Sequence, residues 1–392
     1  MPTPDQPSPF RPRHAASTVL DVRGGVRLAF DGLRAALHEV EATHQRLAQL
    51  QPPVRGVRPG RPDRGWPAVV YRGLHGNADL LGGGVDLVLA SVQAWLQDPH
   101  RDHGPAGPRP AREAVVGALN ALLGDHLQRT DNPLAFKLSL RAEGVRLPRA
   151  LVLVHDLGMS ELQWAHDGQD TGTALAAALD ATPLYVRYNT GRHVWASGHE
   201  LAAALEQELA RWPVTLQGLA MVGHGMGGLV LRSALHQAVR SGMAWPAALR
   251  GIAFLGTPHA GAHPGRALDL LLSGGLGARA PLALARLSSR RSEGITDFLE
   301  GRWLEHDLAP SPASPMPDPW PPGASAYAIA GSIGNGSDDG LVPVASALGR
   351  DTVSGHDLQL PEANRWVAPG VDHLGLLRSP EVLRTLRQWM AA

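Results

Sequence analysis

The segment MVGHGMGGLVLRSALH, residues 221–236, limits the folds open to this chain more than any other. An apolar run ends at Val222 and turns at Gly223, His224, Gly225, Met226 and Gly227 into the helical pattern of MGGLVLRSALHQAVR. A backbone turns from strand to helix within so few residues only where the residues flanking the turn are small. Such a turn stands at the carboxyl end of a buried strand, with the helix amides and the positive end of the helix dipole facing the space beyond.

The same alternation extends on both sides. The runs ALVLVHDLG, PLYVRYN, LAMVGHG, GIAFLGTPHAG and AYAIAGSIG read as buried strands, while TALAAALD, GHELAAALEQELARW and MGGLVLRSALHQAVR read as helices. Ser197 is available to cap the second of these helices. Strands alternating with helices predict βαβ units and a mostly parallel sheet covered on both faces, an α/β fold. Leu134, Phe136, Leu138 and Leu140 alternate with other residues, and EGVRL offers a turn and a return strand, so a hairpin is expected there.

Before residue 130 the period is that of helices. Leu33, Leu37, Val40, His44 and Leu47 share one helix face, so a helix is expected over about 27–50. Apolar residues between Leu80 and Leu96 predict a second helix, and those between Ala111 and Gln128 a third, with proline- and glycine-rich breaks between them. The expected organisation is a helical N-terminal region over 1–130 and an α/β domain over 131–392. A leucine-rich patch and a proline-rich loop at about 262–323 stand where a lid or cap could be inserted.

Composition excludes several function classes. The 392 residues carry no net charge and only 18% charged side chains, so no basic excess points to nucleic acid or to an acidic membrane surface. There is no cysteine, which removes disulfides, thiolate metal sites and cysteine nucleophiles together. No 18 apolar residues run together, and the N-terminal stretch lacks the apolar core of a signal peptide, so no transmembrane segment and a cytoplasmic location are expected. Asn335-Gly336-Ser337 matches a glycosylation acceptor, which would be idle in that compartment.

Two chemistries use a glycine-rich turn between strand and helix. Gly223, Gly225 and Gly228 match the dinucleotide-binding pattern Gly-x-Gly-x-x-Gly, but the turn does not open the sheet, and no acidic residue for a ribose follows about 20 residues on. The other is the nucleophile elbow Gly-x-Ser-x-Gly, whose flanking residues must be small because the turn is tight. Gly223 and Gly227 fit the flanks, with His224 beside them; the nucleophile position itself is Gly225. An acid and a histidine follow in the order this elbow requires. Asp338 and Asp339 lie just after the strand AYAIAGSIG, and His373 lies before the last helix. Among other candidates, His155, His224 and His259 are expected to hold loops by hydrogen bonds, and Ser160 lacks the elbow that would make it a nucleophile. No His and carboxylate spacing suggests a metal, and no cofactor is expected.

With these motifs in view, residues from about 133 to 392 resemble the α/β-hydrolase superfamily, in particular its lipase and esterase branch, including PGAP1-like proteins. The resemblance rests on VHDLG, VGHGMGGLV, LGTPHAGA, DDGLVP and DHLGLL. It implies a serine–histidine–aspartate triad with Gly225 at the nucleophile, Asp339 at the acid and His373 at the base. It also implies an oxyanion hole from the amides of Leu157 and Met226, and a small-molecule or lipid ester as substrate or ligand. Besides Gly225, the chain departs from the family at Asp156, where glycine is usual. A carboxylate beside amides meant for an oxyanion opposes the developing charge. Three expectations follow: a hydrolase disabled at residues 156 and 225, a non-catalytic scaffold that binds through its emptied pocket or its N-terminal helices, or a hydrolase in which the space left by Gly225 admits a water activated by His373 and Asp339.

Overall fold

The computed structural model describes Gly24 and residues 110–166, 168–266, 291–305, 320–350 and 357–391. The helices expected at 27–50 and 80–96, and much of the segment 262–323, lie outside those residues. The chain divides into two compact units. One comprises Met1–Gly107, Thr130–Leu134 and Arg279–Ser289; the other comprises Pro108–Arg129, Ala135–Ala278 and Arg290–Ala392. In the first, the Asn132 amide donates to the Gly24 carbonyl at 3.1 Å and its oxygen accepts the Leu134 N–H at 3.0 Å. The second holds every element described below, including the helix expected near 111–128.

That helix, α1, spans Pro110–Arg129. Strands β1 (Ser139–Ala142) and β2 (Arg149–Val154) follow, then a short antiparallel pair, β3 (Ala165–His166) and β4 (Gln169–Asp170), helix α2 (Thr171–Ala178) and strand β5 (Thr182–Arg187). Helix α3 (Val194–Ala210), strand β6 (Gly218–His224), helix α4 (Met226–Arg240) and strand β7 (Leu249–Leu255) complete the middle of the domain. The last elements are α5 (Glu293–Glu300), β8 (Ser325–Ser332), α6 (Val344–Ala347), β9 (Arg365–Pro369) and α7 (Pro380–Met390).

Seven strands form one sheet in the order β1-β5-β2-β6-β7-β8-β9, parallel throughout except where β1 runs against β5. The central strands are apolar on both faces because both are covered. On one face Leu151, Leu153, Val222, Leu255 and Ile329 pack with Leu175 and Leu179 around α2 and with Val382 and Leu386 of α7. On the other, α3 packs against α4, and the approach requires Gly198, where a Cβ would lie 2.4 Å from that of Ser233. The two parallel crossovers that set this order bring the carboxyl ends of β2, β6 and β7 level, with Val154 beside Gly223 and His224 beside Leu255. The loops after β2, β6, β8 and β9 therefore open on one edge, where ligands bind in open α/β sheets. Among the described residues no helix is long and apolar enough to cross a membrane.

Two local expectations are corrected. The alternating stretch ends in β1, but Glu143–Leu147 does not return as a strand; β1 pairs with β5 instead, Ser139 opposite Arg187. Val145 in that stretch is largely exposed, so a returning strand there would have little to bury. Ser197 does not cap α3. The helix starts three residues earlier, because the Asp297 carboxylate, brought from α5, accepts the Val194 N–H at 2.9 Å and faces His193 Nδ1 at 3.0 Å. A tertiary cap has displaced the local one.

At the end of β5 the Arg187 guanidinium donates to both oxygens of Glu161 at 2.6 and 2.7 Å, reaches Glu113 of α1 at 2.9 Å, and lies over the Phe136 ring. Arg187→Ala leaves two mostly buried carboxylates without this cation. Partial solvent screening of the guanidinium holds the expected loss of stability to about 2 kcal/mol, measurable by urea denaturation.

Candidate active site

The turn between β6 and α4 has the shape its glycines require. Gly225 adopts φ 51° and ψ −120°, a conformation that costs a residue with a Cβ on the order of 1–3 kcal/mol. Its N–H donates to the Leu255 carbonyl at 2.9 Å, and its own carbonyl accepts the Gly228 N–H at 3.1 Å. The flanks are held by close approach: a Cβ on Gly223 would lie 2.6 Å from the Gly228 backbone, and one on Gly227 would lie 2.3 Å from the Val154 carbonyl oxygen. The sheet order and this turn are those of an α/β-hydrolase fold.

Asp339 and His373 come together behind the turn. The loop after β8 places the Asp339 carboxylate so that one oxygen accepts the N–H groups of Leu341 and Val342 at 2.9 and 2.7 Å, while the other lies 2.7 Å from His373 Nδ1. The backbone repeats the connection, His373 N–H donating to the Asp339 carbonyl at 2.9 Å. Asp338, its neighbour in sequence, turns the other way to meet Arg266 at 2.6 Å. The His373 ring lies against Gly256, where a Cβ would sit 2.9 Å from two ring atoms. Sequence reasoning did not single out Gly256, and only the packing of His373 shows what it is for.

The space in front of Gly225 is filled. Asp156, from the loop after β2, extends its buried carboxylate across the turn. Oδ1 accepts the Met226 N–H at 2.6 Å, and Oδ2 lies 2.9 Å from His373 Nε2. A Cβ built on Gly225 would stand 1.9 Å from Oδ1, 2.1 Å from Cγ and 2.5 Å from Oδ2. The expectation that Gly225 empties a pocket, or leaves room there for a water beside His373, is therefore corrected: the carboxylate occupies that volume and holds the amide of Met226 assigned to the oxyanion hole. Leu157, assigned to the same hole, follows in the loop and is buried. Residues 156 and 225 form one arrangement, since a side chain at 225 and this rotamer of Asp156 exclude each other.

The electrostatics of the cluster follow from burial and pairing. Burial pulls the His373 imidazolium toward losing its proton, but the charge of Asp339 and the hydrogen bonds to Asp156 and Asp339 outweigh it, pushing its pKa up to about 10. Burial likewise favours a protonated Asp156; the hydrogen bond and charge of His373 and the Met226 amide overcome it and hold the carboxyl below its ordinary range. At neutral pH His373 is thus an imidazolium between two carboxylates.

The neighbouring histidines are neutral. Desolvation lowers His224 and His155 to about 4. His224 Nε2 lies 2.9 Å from the His373 carbonyl and so carries the proton; its Nδ1 accepts from Gln163, whose amide oxygen in turn accepts the Asp156 N–H at 3.3 Å. Gln163, absent from the sequence-level candidates, links the Asp156 loop to His224 and, through that ring, to the His373 carbonyl; no spacing in the sequence marks it. His155 stacks on Tyr188, whose hydroxyl donates to the His155 carbonyl at 2.8 Å. His259 lies 3.1 Å from an Arg232 nitrogen through Nδ1, remote from proton transfer at the turn. Ser160 caps a short helical turn over Glu161–Trp164 by accepting the Leu162 N–H, a structural task.

Asp156, His224 and His373 offer donor atoms within 4.8 Å of one another, a number and kind suited to a divalent transition metal. In the arrangement described, the two imidazole Nε2 atoms are engaged by the Asp156 carboxylate and the His373 carbonyl, so a metal would have to displace both bonds.

No protein-family model matches the chain, and no curated protein matches it. Among solved structures, a mature lipase of Bacillus licheniformis is similar at 15% identity and TM-score 0.44, covering 65% of this chain and 98% of that one. An esterase of Pyrobaculum calidifontis is similar at 11% identity and TM-score 0.40, covering 72% and 90%. A peroxisomal α/β-hydrolase of Saccharomyces cerevisiae is similar at 12% identity and TM-score 0.38, covering 64% and 80%. The scores are low and the identities are low; the strand order and the turn at Gly225 carry the fold assignment.

Proposed function

We propose that this chain is a hydrolase scaffold in which serine-type ester hydrolysis is switched off, its Asp339–His373 pair engaged by Asp156 in place of a serine. One observation carries the reading: the Asp156 carboxylate fills the volume where a residue 225 side chain would begin, and takes both the Met226 amide and His373 Nε2. Acyl transfer by this machinery needs a hydroxyl at the turn, a free amide for the oxyanion and a neutral imidazole to accept a proton. None of the three is present together with Asp156. The residues supporting this reading are Gly223, His224, Gly225, Met226 and Gly227 at the turn, Asp156 and Leu157 in the facing loop, and Asp339 with His373.

The test is hydrolysis of short-chain p-nitrophenyl esters and labelling by a fluorophosphonate. The unmodified chain is expected to give neither above the buffer rate, while Asp156→Gly combined with Gly225→Ser is expected to label at residue 225. Labelling of the unmodified chain, or ester turnover that His373→Gln abolishes, would overturn the proposal.

A further inference from the structure

We propose that an imidazole at the start of α3, His193, clasps helix α5 through two of its carboxylates, Asp297 and Glu293, and that the clasp loosens as pH rises above neutral. None of these residues belongs to the cluster at Gly225, so the clasp stands whether or not that cluster turns over esters. His193 Nδ1 lies 3.0 Å from Asp297 Oδ2, and its Nε2 lies 3.9 Å from Glu293 Oε2. The same Asp297 oxygen accepts the Val194 N–H at 2.9 Å, so one carboxylate both caps α3 and grips the ring before it. Asp297 is buried, and among the described residues nothing bonds its other oxygen. A buried carboxylate served on one side only depends on the charge beside it.

The groups that face His193 come from several elements. Asp297 and Glu293 are contributed by α5, and Arg302, just beyond that helix, opposes a second cation. From α1, Arg129 approaches Glu293 at 3.6 Å and shares its charge. Arg192, next to His193 in the chain, is drawn to Glu200 at 2.6 Å. The Trp195 ring stacks on His193 with centroids 5.7 Å apart, and His199 meets that ring edge-on. The hydrogen bond to Asp297, with the charges of Asp297 and Glu293, outweighs burial and Arg302 and holds the imidazole above its ordinary pKa of 6.5. The raised value means that the clasp is complete below 6.5 and weakens as pH rises through the folded-state pKa. A neutral imidazole still donates from Nδ1, so the ring keeps its bond and loses its charge.

The consequence lies in what α5 rests on. Its first turn meets the loop after β5: the Gly294 N–H donates to the Gly191 carbonyl at 3.1 Å, and a Cβ on Gly294 would lie 2.0 Å from the Thr190 carbonyl oxygen. Thr190 Oγ1 in turn accepts the N–H of Gly158, two residues beyond Asp156, at 3.1 Å. The last turn of α5 meets the loop after β7, its Leu299 carbonyl accepting the Ala262 N–H at 3.2 Å. Other contacts of α5 carry no titrating group. Ser292 Oγ donates to the Ala121 carbonyl of α1 at 2.6 Å, and Ile295, Phe298 and Leu299 are buried. Packing therefore keeps α5 in place at every pH, and His193 sets how often it opens locally.

Hydrogen exchange of the full chain gives the test, with rates corrected for the pH dependence of free amides. From about pH 6 to about pH 9, protection of the peptide covering Ile295–Leu299 is expected to fall about three- to tenfold more than that of the peptide covering β6. In His193→Gln, which keeps a donor for Asp297, the two peptides are expected to change together. Titration of the His193 ring in the unmodified chain, followed by nuclear magnetic resonance, should give a midpoint above 6.5. Should the variant fail to fold, that midpoint decides alone. Equal pH dependence of the α5 and β6 peptides in the unmodified chain, the same excess in His193→Gln, or a midpoint at or below 6.5 would overturn the proposal.

Discussion

Gly225→Ser is expected to destabilise the protein by about 2–4 kcal/mol, since the new side chain must enter volume held by the Asp156 carboxylate and the backbone must bear a Cβ at φ 51°. Asp156→Gly alone removes one hydrogen-bonded partner of a buried imidazolium and is also expected to destabilise. The two together should cost less than their sum, by an interaction of about 0.5–3 kcal/mol, because each relieves what the other strains. Urea denaturation of the four proteins closes the cycle. Additivity to within about 0.5 kcal/mol would mean that the two positions are independent, contrary to the 1.9 Å approach of Oδ1 to a Cβ at 225.

The second large effect lies in the buried charges. His373→Gln leaves the Asp156 and Asp339 carboxylates facing one another without the cation between them, and a loss of about 3–5 kcal/mol is expected. The pH dependence gives a sharper check. The folded-state pKa of His373, about 10, is raised above its ordinary 6.5, so its contribution is complete below 6.5 and falls away as pH rises toward 10. Asp156 is lowered from 3.8, so its contribution is present above that value and is lost as pH falls below it. Stability of the unmodified chain should therefore decline from neutral toward alkaline pH, and that part of the slope should vanish in His373→Gln. Equal alkaline slopes in the two proteins, measured by thermal unfolding across the range, would show that His373 is not held protonated in the folded state.

Much of the domain was legible because its signals are local. The apolar runs that became β2, β5, β6, β7 and β8 are short and bounded, and the helices between them keep one period. The glycines at 223, 225 and 227 marked a turn that few backbones can make, and the chain order of Asp339 and His373 marked their roles as candidates. The resemblance put the acid at Asp339 and not at Asp338; in space that choice depends on which carboxylate the loop turns toward His373 and which toward Arg266. The start of α3 was misread because its capping carboxylate, Asp297, comes from a helix about a hundred residues further on.

The sequence by itself determined that a strand ends in a glycine turn at 223–227, that an acid and a histidine follow it in order, and that the motifs differ at residues 156 and 225 from those they resemble. Only the tertiary structure decided that these departures are one feature. Pairing of β2 with β6 sets Val154 level with Gly223, so the residue two positions beyond Val154 reaches the turn two positions beyond Gly223. Contact between residues 156 and 225 is a property of strand register across a parallel sheet, which burial of both faces and the crossover through α3 select and no local pattern encodes. What reads in the sequence as a missing nucleophile is, in space, a carboxylate seated in its place.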